Sequence, residues 1–75
     1  MCMDKKLTTV KVGMNVKLCR TKLKLTQDEL ANRAGVSRNM LSNIERGIQS
    51  PTVETLAAIA GVLHIDLYKL FIFEN

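Results

Sequence analysis

The sequence predicts an all-α fold of five short helices, and three observations carry that prediction. Apolar residues recur at spacings of three and four along most of the chain. No segment alternates with a period of two for long enough to form a strand. Thr26, Ser37, Thr52 and Asp66 each stand just before such a run, where a helix needs an oxygen to cap its unpaired amides. Seventy-five residues make one domain. A chain of that size buries only about 60% of its unfolded surface. Its 47% of hydrophobic residues therefore has to pack densely.

Residues 1–9 have no periodicity and are expected to be a loose, disordered segment, leaving 10–75 as the folded domain. The first helix is expected from about Val10 to Leu23, because Val12, Val16, Cys19 and Leu23 share one face while Lys11, Asn15, Lys17 and Lys22 stay wet. Gly13 in its middle costs about 1 kcal/mol against alanine unless another backbone comes close. Thr26 and Glu29 have the spacing of a capping box, and Leu25 with Leu30 that of a hydrophobic staple, so a second helix spans about Gln27 to Ala34. Gly35 can turn left-handed without steric cost and ends it. Ser37 caps a third helix, Arg38 to about Arg46, stapled by Val36 and Leu41 and stopped by Gly47. After Ser50-Pro51-Thr52 the stripe Leu56, Ile59, Ala60 and Leu63 makes a fourth, with His64 at its end. Asp66 is expected to cap a last short helix, Leu67 to about Phe71, with Ile65 and Leu70 as staple.

Charge and inventory narrow the function. The net charge is +4, and from Lys5 to Lys24 there are seven Lys and Arg and no acid, whereas Pro51 to Asn75 carries Glu54, Asp66 and Glu74 against Lys69. A polyanion such as DNA suits that pole, although a solvated lysine-bearing helix has the same composition. Catalysis fails on inventory: His64 is the single histidine, no Ser or Cys has an identifiable base, and no glycine-rich phosphate loop is present. Two cysteines and one histidine cannot make a four-ligand zinc site, so no metal or cofactor is expected, and Cys2 and Cys19 read as reduced thiols of a cytoplasmic protein. No apolar run approaches the 18 or more residues of a membrane span.

Helices two and three, joined by a very short turn, form a helix-turn-helix. On the third, Leu41 and Ile44 face inward and leave Arg38, Asn39, Ser42, Asn43 and Arg46 on the other side. That is either an ordinary wet face or a reading face, and the side chains favour reading. Short amides and hydroxyls are poor helix formers, while Arg and Asn can pair bidentately with guanine and adenine edges. Met40 stays open between packing inward and touching a thymine methyl. Arg46 at the end of this helix, and Gln49 and Thr52 after it, are candidates for phosphate contacts.

The run LTQDELANRAGVSRNMLSNIERG, followed by PTVETLAAIAGVLHIDLYKLF, resembles the Cro/C1-type helix-turn-helix domain of phage repressors, xenobiotic-response-element regulators and restriction-modification controller proteins, over about residues 12–71. The resemblance implies a compact, five-helix, lambda-repressor-like domain that binds double-stranded DNA. It implies Ser37, Arg38, Asn39 and Asn43 at base edges, Gln27 on a phosphate, and a structural ion pair between Arg20 and Glu45. Lys24 and His64 stand where the family often has glycine and a small or polar residue, so each is expected to hold a left-handed conformation at about 1 kcal/mol.

Leu67, Tyr68, Leu70, Phe71, Ile72 and Phe73 are more apolar side chains than one short helix can turn to its own core. A homodimer through Leu67, Leu70, Phe71, Ile72 and Phe73 is expected, unless the tail folds back and completes the monomer. The whole then reads as a transcriptional regulator on a roughly palindromic operator, without a sensor domain, acting through operator spacing and contact with RNA polymerase. Activation and repression are equally open. The rival reading is a module of the same fold that binds protein, as an antitoxin or coactivator does.

Overall fold

The computed structural model describes residues 5–73. It has four α-helices, α1 (Lys5–Lys22), α2 (Gln27–Ala34), α3 (Arg38–Glu45) and α4 (Val53–Leu63), and ends in a 3-10 turn, Leu67–Phe71. The expected all-α class holds, but the fifth helix is a single tight turn rather than an α-helix. The Asp66 side chain makes no capping hydrogen bond there; its carbonyl accepts from the Lys69 amide instead (3.0 Å).

The core joins all five pieces. Val12 and Val16 of α1, Leu30 and Ala31 of α2, Leu41 and Ile44 of α3, Leu56, Ile59, Ala60 and Leu63 of α4, and Leu70 are buried together. α1 packs on α3 and on the 3-10 turn, and α2 on α3 and α4. Each partner buries one stripe, so no helix here is stable alone and packing decides the fold.

α1 departs from expectation at both ends. It starts at Lys5, so residues 5–9 are helical rather than loose; residues 1–4 of the expected loose segment lie outside the described residues. The first turns have a surface to lie on: Val10 sits against Gly47, and Thr8 and Thr9 line a hollow with Ser50, Pro51 and Val53. Extending a nucleated helix by one turn costs little, so a segment without apolar periodicity can still be helical. At the other end Leu23 is half exposed and outside the helix. The inward place falls instead to Arg20, whose guanidinium reaches into the α1–α3 seam.

Asn15, expected in water, is half-buried, and its amide donates to the carbonyls of Leu70 (2.8 Å) and Ile72 (3.0 Å). Those two bonds satisfy carbonyls at the end of the 3-10 turn, alongside the Ile72 amide, which donates to the Lys69 carbonyl (3.4 Å). The tail therefore folds back onto α1. Leu70 is fully buried in its own chain's core and is removed from the expected dimer interface; Leu67 and Phe73 also pack on that core, whereas Tyr68, Phe71 and Ile72 remain exposed.

Gly13 meets the condition under which a mid-helix glycine is favourable: a Cβ there would collide with the Ile44 carbonyl oxygen, so the absence of a side chain lets α1 and α3 approach. Lys24 and His64 both adopt the expected left-handed conformation (φ 59°). After His64 the Ile65 amide returns to the Ala60 carbonyl (3.1 Å) and closes α4.

Candidate nucleic-acid interface

The local chemistry of α2 and α3 fixes how the polar face is presented. The Glu29 amide donates to Thr26 Oγ1 (3.1 Å) and the Thr26 amide donates to Glu29 Oε1 (2.8 Å), completing the capping box. The Thr26 backbone amide, and after it the Thr26 side chain, hold the exposed Glu29 carboxyl below its ordinary pKa. Gly35 is left-handed (φ 75°), the Val36 amide returns to the Ala31 carbonyl (3.0 Å), and two residues later Ser37 Oγ accepts from the Met40 amide (3.0 Å) to start α3. The helices are thus separated by three residues, which leaves their relative angle little freedom.

On α3, Leu41 and Ile44 are fully buried and Met40 packs on the core, which settles Met40 as inward-facing. Ser37, Arg38 and Asn39 are exposed at the start of the helix; Ser42 and Asn43 are half-buried further along. Arg38 Nε lies 3.6 Å from Asp28 Oδ1, both well exposed, so this pair holds the guanidinium only loosely. Gln27, Arg38, Asn39 and Ser42 line one shallow hollow. The expected phosphate residue and two of the expected base readers are therefore side by side.

The other expected phosphate residues lie elsewhere. Arg46 and Gln49 follow the end of α3, where Arg46 lines a separate hollow with Lys6, Thr9 and Ser50. The Gln49 amide donates to the Asn43 carbonyl (3.3 Å). Thr52 caps α4, its hydroxyl engaged with Thr55, so any phosphate contact there falls to the backbone.

At the end of α3 is a buried charge. Glu45 is 7% exposed and takes two bonds from Arg20, Nε to Oε2 at 2.7 Å and Nη2 to Oε1 at 3.0 Å, in the fork geometry that suits guanidinium and carboxylate. Arg20 Nη1 also donates to the Leu25 carbonyl (2.8 Å), tying the chain ahead of α2 to the same cation. Gln27 Nε2 donates to Glu45 Oε1 (3.0 Å), a bond that residue-by-residue reading did not foresee. Since an amide NH2 has two donors, Gln27 can keep this bond and still offer the second to a phosphate. The single ion pair expected from resemblance is in fact a three-residue network linking α1, the start of α2 and the end of α3. Asn15 was missed too; its one signal is a poor helix former within a helical pattern.

Comparison with known proteins agrees with this arrangement. The Helix-turn-helix family matches residues 16–70. The immunity repressor protein of Bacillus phage phi105 is 45% identical over 56 residues, covering 75% of this chain and 39% of the repressor, so the chain spans about two-fifths of that relative's length. Among solved structures, the restriction-modification controller protein C.AhdI from Aeromonas hydrophila superposes with a TM-score of 0.82 at 30% identity, covering 84% of this chain and 96% of that one. SinR, a master regulator of biofilm formation, solved in complex with DNA, superposes with a TM-score of 0.76 at 33% identity over 79% of this chain and 95% of that one. SinR is also known in complex with the SinI protein. Among the described residues, no helix is long and apolar enough to cross a membrane. With most of its length matched and its turn, caps and polar helix in place, the chain belongs to the helix-turn-helix family of DNA-binding transcriptional regulators.

Proposed function

We propose that the chain binds a roughly palindromic operator as a homodimer, with α3 in the major groove, and so represses or activates transcription as a compact phage-type repressor or a controller protein does. One observation carries the reading: Arg38 and Asn39 are exposed on the first turn of a rigidly held α3, in the same hollow as Gln27. In helix-turn-helix docking the first turn enters deepest. Arg38 offers two donors to guanine, and Asn39 or Asn43 pairs with adenine, with Ser37 beside them. Gln27, Arg46, Gln49 and the Thr52 amide serve phosphates and set register rather than sequence.

The dimer is formed by what the tail leaves outside. Phe71 lines a hollow with Pro51 and Val53, and Tyr68 is exposed beside it on the same 3-10 turn. Pairing across this end, with Leu67 beneath, would set two copies of α3 about 34 Å apart, one turn of B-DNA. Contact with RNA polymerase then follows from where the operator lies.

The second reading, a protein-binding module, is favoured by the SinR–SinI complex. Selection of duplexes from a random pool, followed by gel shift of the winner at two salt concentrations, tests the first. Expected is a two-fold symmetric site whose affinity falls by about 10³ to 10⁵ between 50 and 200 mM salt, if the dimer makes about six to ten phosphate contacts. No enrichment, or binding indifferent to salt, favours the protein module.

A further inference from the structure

The side of α1 turned away from the core is apolar along its middle. Successive helical residues turn by about 100°, so Leu7, Met14 and Leu18 fall within roughly 40° of one another, about a third of a turn from Gly13 and Arg20, which face α3. All three are about half exposed: Leu7 45%, Met14 54% and Leu18 55%. The tail widens this stripe into a trough. Asn15 holds the backbone of residues 70 and 72, which brings the exposed Ile72 and the half-buried Phe73 beside Met14 and Leu18 in a single hollow. Lys11 lies over the Phe73 ring, 5.6 Å from its centroid, and fixes that wall.

The rims of the trough are basic. By the same helical count, Lys11 and Lys22 flank the stripe on one side and Lys17 on the other, and no Asp or Glu occurs between Lys5 and Lys24. A second copy of this chain would bring lysine rims against lysine rims, which like-charge repulsion opposes. Ile72 and Phe73, expected at the dimer face, line this trough instead, whereas the dimer is proposed through Phe71, which opens into a different hollow beside Pro51 and Val53.

We propose that this trough is the docking site for an acidic amphipathic helix of another protein. The partner's apolar stripe lies on Met14, Leu18 and Ile72, and its carboxylates meet Lys11, Lys17 and Lys22. Length and stripe match: α1 presents its apolar residues at steps of seven and four, the spacing with which one helix packs along another. Because α3 packs on the other side of α1, the reading face stays open when the trough is filled. The partner is therefore a corepressor, coactivator or adaptor carried on DNA-bound protein, not a competitor of DNA.

The probe is a fluorescein-labelled peptide of three heptads, about 21 residues, with leucine at the first and fourth position of each, glutamate at the fifth and seventh, and alanine elsewhere. Anisotropy titration with the full chain is expected to show saturable binding. Met14→Ser and Leu18→Ser are each expected to weaken it about tenfold, while melting and affinity for duplex DNA stay as in the parent. A peptide of equal charge with serine for leucine is expected not to bind. The proposal is overturned if that serine peptide binds as tightly, since charge alone then suffices, or if neither variant changes affinity. It is also overturned if sedimentation finds a self-associating parent made monomeric by Leu18→Ser, because the trough then holds a second copy. None of these readouts depends on which base pairs α3 selects.

Discussion

Arg20 and Glu45, 25 residues apart, meet through two hydrogen bonds of 2.7 and 3.0 Å, with side chains only 11% and 2% exposed. Two charges withdrawn from water to this extent are a poor source of net stability, because desolvation offsets most of their attraction. What the pair does well is fix geometry. It ties the end of α3 to α1, and through Gln27 to the start of α2, so that the three helices are held in one orientation.

Removing one partner strands the other. Arg20→Met is expected to destabilise the fold by about 3 to 5 kcal/mol, because Glu45 is left buried and unpaired, and urea unfolding will measure it. Gln27→Ala removes one of three bonds to Glu45 and is expected to cost about 1 kcal/mol. If Gln27 also serves a phosphate, the same variant binds all sequences more weakly by a similar factor and leaves their ranking unchanged. A changed ranking would make Gln27 a base reader.

Arg38→Ala is expected to relax preference at one base pair per half-site, losing about 1 to 3 kcal/mol of discrimination, and to melt normally because Arg38 is exposed. Leu41→Ala, fully buried, is expected to cost about 2 to 5 kcal/mol of stability and to lose DNA binding only through unfolding. Parallel melts and selections distinguish the two. An Arg38→Ala protein that selects the same site at full affinity removes Arg38 from the reading set.

Gly13→Ala should be stabilising by helix propensity alone, by about 1 kcal/mol. The Ile44 carbonyl reverses the sign. A Cβ at this point forces α1 off α3, and overpacking of this kind costs about 1 to 3 kcal/mol. Thermal denaturation decides: a raised Tm would mean that the two helices can part without loss.

Glu29 supplies a pH signature. Its folded pKa lies below the ordinary 4.5, chiefly through the Thr26 amide, so its contribution is fully present above that value and is lost as pH falls through the lowered folded pKa. Glu29→Gln keeps an oxygen for the Thr26 amide but cannot titrate. Acid unfolding of this variant is therefore expected to lack the part of the pH dependence that Glu29 supplies. Identical acid profiles for the two proteins would deny the carboxylate that role.

How far the sequence was legible depends on how local each signal was. Thr26, Ser37 and Thr52 were readable as caps because a cap bonds to its own first turn, and all three do so. Gly35 was readable as left-handed from its own residue type, whereas the left-handed Lys24 and His64 were expected only from the family resemblance. What escaped was set by distant partners: the Gln27–Glu45 bond, the Asn15 bonds to the tail, and the first turn of α1, whose support comes from Val10 against Gly47. The Arg20–Glu45 pair came from resemblance alone, since nothing within 25 residues of local sequence names its partner. Leu70 was misassigned because its helical stripe gives apolarity but not the folded-back path that buries it.

The two bonds from Asn15 have a kinetic side. They close loops of 55 and 57 residues, almost the whole length of the described chain, around a single side chain. Loop closure of that size is an entropic cost that intervening helices have to meet first, so this clasp belongs to the end of folding rather than its nucleus. Asn15→Ala is then expected to speed unfolding while leaving the refolding limb of a chevron plot nearly unmoved. The Asn15 amide thus acts as a latch whose opening rate, rather than its contribution to the equilibrium alone, is what this variant reports.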